Sequence, residues 1–386
     1  QGFAALLVSS FGDLVAGVTL GVITGTLEKL PGLLVLVPAA IGMRGNIFGA
    51  LGSRLGTAIH TGQFSLTRRR DTVVGQNLLA SLTLTFVVSL ALAALAKSIA
   101  VAFDLRSISL LDFVVISMMG GVVSSAVVLA ITVGVAAGSA RYGWDMDSVA
   151  APVITAAGDM VTLPSLFLAT YCVGIRFVSP LLGAVTAGLA LVSVVGVVRS
   201  GLPLLRRIVA ESLPILLMAG AIDIIAGITI EKRLEAFTTL PALLVLVPPF
   251  LEDTGALGGI LAARLSSKLH LGIIEPVPRP QRAARADFRL LAVFAVPVFT
   301  LVAISSDLVS VLLGLGSPGP VRMIGISLIG GLLATTACLA ITYYGAIAAY
   351  RLGLDPDNHG IPLVTSSMDL IGAVALIFAI LILRVG

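Results

Sequence analysis

The feature that most constrains the fold is a series of long apolar segments, each about as long as a lipid bilayer is thick. A helix needs about 20 apolar residues to cross the hydrocarbon. A backbone that is neither helical nor part of a closed barrel cannot satisfy its hydrogen bonds there. Hydrophobic residues make up 58% of the chain and charged residues 11%, against about 25% in soluble domains. The sequence therefore predicts an all-α polytopic membrane protein. The expected spans are 3–28, 32–59, 73–102, 108–138, 149–173, 177–198, 203–230, 240–267, 287–315, 321–350 and 360–384, eleven in all.

The chain contains an internal repeat that aligns without gaps at an offset of 210 residues. The run Leu-Leu-Val-Leu-Val-Pro at 33–38 recurs unchanged at 243–248. We predict two five-helix repeats, residues 1–175 and 201–386, joined by one linker helix at 176–200. Because one extra crossing restores the orientation of the second repeat, the repeats should be parallel. They would then be related by a pseudo-two-fold axis along the membrane normal.

In the last span of each repeat, an acidic residue lies about two helical turns after a proline near the start of the span. Pro-Val-Ile-Thr-Ala-Ala-Gly-Asp ends at Asp159, and Pro-Leu-Val-Thr-Ser-Ser-Met-Asp ends at Asp369. In each copy the hydroxyl of Thr155 or Thr365 shares a helix face with the acid. An acid inside a span is costly and usually faces protein or water. We predict that the two acids bind one cation between them; the alternative is that each is structural, hydrogen-bonded inside its own bundle.

A hard divalent cation suits this pair of carboxylates. Two such groups near one axis repel each other unless a cation or proton lies between them. Mg²⁺ gives up its water reluctantly and is commonly held by one or two carboxylates and its own waters. Thr155 and Thr365 are expected to contact that hydration shell.

Asp145 and Asp355 precede the last span of each repeat. They could line a cytoplasmic vestibule that concentrates cations. The alternative is that they stabilise the dipole of the helix that follows.

A second symmetric pair of acids, Asp13 and Asp223, occurs in the first span of each repeat. It is a candidate for a second ion site or a coupling site. Pairing with Arg54 or Arg264 is an equally open alternative.

The second span of each repeat contains Pro and Gly, so we expect a broken helix whose freed carbonyls line a cavity. Here the repeats differ, because Glu252 and Asp253 stand where the first repeat has Gly42 and Met43. The two acids are candidates for additional cation ligands, or for an ion pair with Arg44 across the pseudo-axis. Asn46 is expected to line the pathway.

The loop charges predict the orientation. Lys and Arg are more numerous in the loops after even-numbered spans, which favours a cytoplasmic N-terminus and an external C-terminus in the plasma membrane. The net charge of +4 is spread over loops and forms no nucleic-acid patch. The sequence contains no GxSxG, HExxH, P-loop or CxxC pattern that would indicate an enzyme.

Two motifs carry a resemblance to a known family. Residues 38–58 contain Pro-x-x-x-Gly-Met-Arg-Gly-Asn followed by Gly-Ser-Arg-Leu-Gly-Thr-Ala, and residues 353–369 contain Gly-Leu-Asp-Pro, Pro-Leu-Val-Thr and Asp. The chain resembles the MgtE and solute carrier family 41 group of Mg²⁺ transporters over nearly its whole length. Bacterial MgtE is similar as a homodimer of five-span units, and the solute carriers look like two such units fused.

The resemblance implies a Mg²⁺ pathway on the pseudo-two-fold axis, with Asp159 and Asp369 at its centre. It also implies that Asp145 and Asp355 lie near the cytoplasmic mouth. The large cytosolic sensing regions typical of bacterial MgtE are absent from these 386 residues, so gating by them does not carry over.

The sequence thus predicts transmembrane transport of Mg²⁺, with the ion as cargo and the fused repeats acting as a monomer in the lipid bilayer, without an obligate protein partner. One alternative is a Na⁺- or H⁺-coupled divalent cation exchanger, for which the additional acids supply carboxylates. Another alternative is an intramembrane aspartyl protease. It is less favoured, because the acids are preceded by Gly158 and Met368, whereas proteases of that class have Tyr-Asp and Gly-x-Gly-Asp motifs.

Overall fold

The chain is described by a computed structural model, which covers residues 2–67, 69–143, 146–352 and 361–385. These residues form thirteen α-helices and no strand. The helices are α1 (Gly2–Val22), α2 (Thr24–Lys29), α3 (Leu33–His60), α4 (Val73–Ala102), α5 (Leu110–Tyr142), α6 (Met146–Thr170), α7 (Val178–Arg199), α8 (Pro203–Glu231), α9 (Leu234–Thr239), α10 (Ala242–His270), α11 (Arg282–Leu312), α12 (Pro320–Arg351) and α13 (Ile361–Ile382).

Within the described residues, ten helices have the length and composition of a membrane span, namely α3 to α8 and α10 to α13. Helix α1, with 21 residues, corresponds to the first predicted span. The all-α polytopic fold is therefore confirmed. The first span ends six residues earlier than predicted, and the short helix α2 follows it after Ile23. The short helix α9 precedes α10 as α2 precedes α3. Neither short helix was predicted, because six residues are too few for a periodic pattern.

Local sequence explains where several spans begin and end. The Thr72 hydroxyl accepts a hydrogen bond from the backbone N–H of Gly75 and so caps α4. Ser109 caps α5 in the same way, accepting from the N–H of Asp112. Helix α5 ends at Tyr142 and is followed by Gly143, whose φ of 70° is one that glycine adopts without strain. These caps satisfy backbone groups that the helix ends leave without partners.

The prediction of broken helices in the second span of each repeat is wrong. Helix α3 runs through Pro38, and α10 runs through Pro248 and Pro249. The side chains around these prolines are almost fully buried. Proline is tolerated in a spanning helix where neighbouring helices pack against the distorted turn, and this packing explains why neither helix ends there.

The helices form two compact units, and each is described by itself. The N-terminal unit contains residues 27–224, and the C-terminal unit contains residues 1–26 and 225–386. Helix α1 therefore packs with α10 in the C-terminal unit, although it begins the first sequence repeat. A Cβ atom on Gly17 would lie 2.1 Å from the carbonyl oxygen of Val245, so only glycine permits this approach. The predicted limits 1–175, 176–200 and 201–386 are those of the sequence repeat, and they stay a prediction.

The glycine pairs of the repeat allow close helix contacts, as small residues do in membranes. A Cβ atom on Gly120 of α5 would lie 2.9 Å from the Cα of Leu166 in α6. In the C-terminal unit, a Cβ atom on Gly330 of α12 would lie 3.3 Å from the Cα of Leu376 in α13. These contacts hold the acid-bearing helices α6 and α13 against their neighbours.

Candidate functional site

The first candidate acid, Asp159, lies in α6 of the N-terminal unit and is 3% exposed. Helix α6 packs against α3 and α5. The residue before the acid, Gly158, approaches α3, because its Cβ atom would lie 3.7 Å from the Cβ of Arg44. Thr155, one turn earlier, is half-buried. Asp159 is thus an acid inside a packed span, as the sequence predicted.

The second candidate acid, Asp369, lies in α13 of the C-terminal unit and is half-buried. Its Oδ1 lies 3.7 Å from the position of a Cβ atom on Gly255 of α10. The side chain of Thr365 lies within 4 Å of the same position, and also faces Gly259. Thr365 and Asp369 therefore share one face of α13, as predicted, and that face meets a glycine-bearing stripe of α10, formed by Gly255 and Gly259. The Thr365 hydroxyl itself donates to the carbonyl of Pro362 at 3.0 Å.

The corresponding stripe of α3 is lined by small residues and stays partly accessible. Gly45, Asn46 and Gly49 are half-buried, and among the described residues no atom outside the nearby backbone of α3 lies within 4 Å of a Cβ built on either glycine. The role of Asn46 in the pathway stays a prediction.

The acids of the first spans are deeply buried. Asp13 and Asp223 are 0% and 1% exposed. The Oδ2 of Asp223 lies 2.8 Å from the position of a Cβ on Gly42, so this carboxylate packs on the backbone of α3 where a side chain would collide with it. The alternative that Arg264 pairs with one of these acids is wrong, because Arg264 pairs with Asp287 instead.

Sequence reasoning missed the ion-pair cluster that contains Asp287. This buried residue of α11 accepts hydrogen bonds from Arg264 Nε at 2.8 Å and from Lys268 Nζ at 2.6 Å, both on α10. The repeat contained one signal of this cluster: the second repeat has an acid, Asp287, where the first repeat has the neutral Asn77. The cluster ties α10 to α11 near the end of the spans.

The acids that distinguish the second repeat occupy different environments. Asp253 is fully buried, and its two carboxylate oxygens accept hydrogen bonds from the hydroxyl of Ser10 in α1 at 3.1 and 3.0 Å. Glu252, one residue earlier in α10, is half-buried. Their predicted role as additional cation ligands stays a prediction.

Arg44 is buried inside the N-terminal unit. Its Nε donates to the Ser124 hydroxyl at 3.1 Å, and its Nη1 donates to the carbonyl of Ala40 at 2.7 Å. The matching residue, Thr254, donates to the carbonyl of Leu251 at 2.7 Å. The predicted ion pair of Arg44 with Glu252 or Asp253 would join the two units and stays a prediction.

Two candidate residues, Asp145 and Asp355, lie outside the described residues. Within the described part of the chain, no three His, Cys, Asp or Glu side chains come together as a metal-binding group. A site built from few carboxylates is the kind that binds Mg²⁺ together with its waters. The convergence of Asp159 with Asp369 stays a prediction.

A bundle of apolar spans that carries acids inside its helices defines an α-helical membrane transport protein, because acids at this depth mark ion pathways by default. The sequence model of the MgtE family, described as divalent cation transporter, matches residues 37–169 and 247–379. The chain therefore belongs to the MgtE family of divalent cation transporters.

Curated relatives agree with this assignment. The chain is 27% identical to solute carrier family 41 member 2 of Xenopus laevis, over 96% of this chain and 69% of that protein. The human member 2 is also 27% identical, over 96% and 68%. Member 3 of Rattus norvegicus is 25% identical, over 95% and 83%. No solved structure matches the chain significantly.

Proposed function

We propose that the chain transports Mg²⁺ across the plasma membrane, along a pathway on the pseudo-two-fold axis between the repeats. The observation that carries the proposal is the position of the two acids. Asp159 lies in the first stretch that the family model matches and Asp369 lies in the second, each at the same distance from its start. Both acids belong to spanning helices, so each repeat contributes one carboxylate to the proposed site.

The ion in this site keeps part of its hydration shell. The carboxylates of Asp159 and Asp369 bind it, and Thr155, Thr365 and Asn46 contact its waters. Keeping the waters avoids the high cost of dehydrating Mg²⁺. A membrane potential of 100 mV, negative inside, favours entry of a divalent ion by about 4.6 kcal/mol. This driving force supports uptake without a coupled ion. The cytoplasmic N-terminus and the monomeric functional unit are parts of the same proposal.

The test is Mg²⁺ flux into proteoliposomes that contain the purified chain and an internal Mg²⁺ indicator. Asp159→Asn and Asp369→Asn should each lower the initial rate at least about tenfold, because removing a charge-assisted ligand costs about 1.5–3 kcal/mol. The control is Asp104→Asn, since Asp104 is exposed and its φ of 55° suits asparagine. Wild-type rates in both spanning variants would refute the proposed site.

The coupled exchanger is the second candidate, and the buried acids Asp13, Asp223 and Asp253 favour it because they could carry a second cation or a proton. Flux measured with and without a Na⁺ or pH gradient separates the two. Uptake that follows the potential alone supports the uncoupled pathway. Uptake that requires either gradient supports exchange.

A further inference from the structure

A groove opens at one end of the C-terminal unit, where the last turns of α13 pass the short helix α9 and the start of α10. The empty space between its lining residues is about 310 Å³, including the part open to the surroundings. One charged and seven apolar residues line it: Arg233, Ala236, Phe237, Leu243, Ile377, Ile380, Leu381 and Val385.

The groove is closed on the side of the helix bundle and open on the side that faces the surroundings. Phe237 and Leu243 form its floor and are 1% and 0% exposed. Leu381 forms its rim and is 48% exposed. Leu381 lies on α13, and the neighbouring Phe378 and Ile382 are also exposed. Because α13 has the length and composition of a membrane span, we expect this exposed apolar rim to face hydrocarbon in a membrane.

One arginine, Arg233, belongs to the lining of the groove, and a second, Arg384, is next to a lining residue in the sequence. Arg233 is exposed, and in the described part of the chain its side chain makes no ion pair. Arg384 is also exposed and directly precedes Val385 of the lining. An arginine is well suited to phosphate, since its guanidinium matches that group with two parallel hydrogen bonds. An apolar floor with a cationic end complements a chain that carries an anionic head.

The first repeat has no such combination. The position that matches Arg233 is Ile23, and the positions that match Ile377 and Leu381 are Phe167 and Tyr171. In the N-terminal unit these two rings pack edge to face, with centroids 5.3 Å apart. The first repeat therefore carries bulky rings where the second has aliphatic side chains, and it lacks the cation.

We propose that this groove binds an acyl chain of an anionic phospholipid from the surrounding bilayer, with the phosphate held by Arg233. The apolar lining selects a hydrocarbon chain, and its opening toward the membrane makes the bilayer the source. The arginine adds the preference for an anionic over a zwitterionic head.

The experiment uses the purified full chain, delipidated in detergent and titrated with lipid, with bound lipid counted by native mass spectrometry. Phosphatidylglycerol and phosphatidylcholine with identical acyl chains are the probes. The wild type should bind phosphatidylglycerol more tightly. Arg233→Ala should lower that preference about fivefold, the effect of one basic residue at an anionic surface. Arg322→Ala, an exposed arginine at the start of α12, should leave it unchanged.

A second variant fills the groove with the rings of the first repeat. Ile377→Phe combined with Leu381→Tyr should remove the tight binding of both lipids, while circular dichroism and thermal unfolding report whether the fold is retained. Equal binding of the two lipids by the wild type would overturn the proposal. So would an unchanged preference in Arg233→Ala, which needs no change in the core of the fold.

Discussion

The ion-pair cluster of Asp287 provides a quantitative test of the packing between α10 and α11. Replacing Asp287 by Asn removes the negative charge and leaves Arg264 and Lys268 facing each other. The Asp287 side chain is 2% exposed, whereas Arg264 is 46% and Lys268 is 21% exposed. Breaking a fully buried pair costs about 3–5 kcal/mol, and an exposed pair about 0–1 kcal/mol. The partial exposure of both cations places the expected loss between these limits, at about 2–3 kcal/mol.

The assay is equilibrium unfolding in mixed micelles of a mild detergent and sodium dodecyl sulfate, followed by circular dichroism. Arg207→Gln is the control, because it breaks the exposed pair of Arg207 with Glu211 at 2.8 Å and should leave unfolding unchanged. A free energy of unfolding for Asp287→Asn within about 0.5 kcal/mol of the wild type, the range of ordinary surface substitutions, would refute this reasoning.

The matching position in the first repeat allows the reverse experiment. Arg54 matches Arg264, and its Nε and Nη2 are buried with no hydrogen-bond partner among the described residues. Asn77 stands where the second repeat has Asp287. Asn77→Asp should therefore stabilise the chain by about 1 kcal/mol, as a modest ion pair does, in the same unfolding assay. A loss of stability would mean that Asn77 does not face Arg54.

Two further predictions concern α1. Gly17→Ala should lower the free energy of unfolding by about 1–3 kcal/mol, the usual cost of overpacking, because its Cβ would collide with Val245. Gly134→Ala should be neutral or stabilising, because no atom of another described helix lies within 4 Å of the added Cβ. Equal effects of the two substitutions would contradict the close approach of α1. The double variant Ser10→Gly and Asp253→Met installs the residues of the other repeat. If Asp253 only binds Ser10, Mg²⁺ flux should persist within about twofold in this variant, whereas a tenfold loss, about 1.4 kcal/mol, would assign Asp253 to the ion pathway.

Hydropathy was sufficient to predict the membrane spans. Helix α4 was predicted at 73–102 and found there, and α7 differs from its prediction by one residue at each end. This accuracy follows from the bilayer, which requires each segment to satisfy its own backbone. The short helices α2 and α9 are not spans, so the same rule does not apply to them.

The partner of each helix was not predictable from the same signal. Apolar helices present similar surfaces to one another, and sequence order suggested that α1 packs within its own repeat. The close approach at Gly17 shows that α1 packs on α10 instead. The chain has 41 glycines, and the sequence does not tell which of them contacts another helix. The continuous α3 likewise depends on the packing around Pro38, which a local rule cannot include.

The candidate site was predictable only in part. The duplicated Thr and Asp gave the helix face, and α13 confirms it by presenting Thr365 and Asp369 to the same glycine of α10. The environment of Asp253 was not predictable, because its partner Ser10 lies 243 positions away in the sequence. The ion pair of Asp287 was not predicted, because the rule for acids deep in spans does not apply to an acid near a helix end.

The most direct test of the central claim is a crystal structure of the chain soaked in Mn²⁺, which replaces Mg²⁺ in oxygen-ligand sites and gives an anomalous signal. We predict one anomalous peak between the carboxylates of Asp159 and Asp369, lost when the crystals are grown from Asp159→Asn protein. Carboxylates too far apart to share an ion, with the metal bound elsewhere or not at all, would contradict the account.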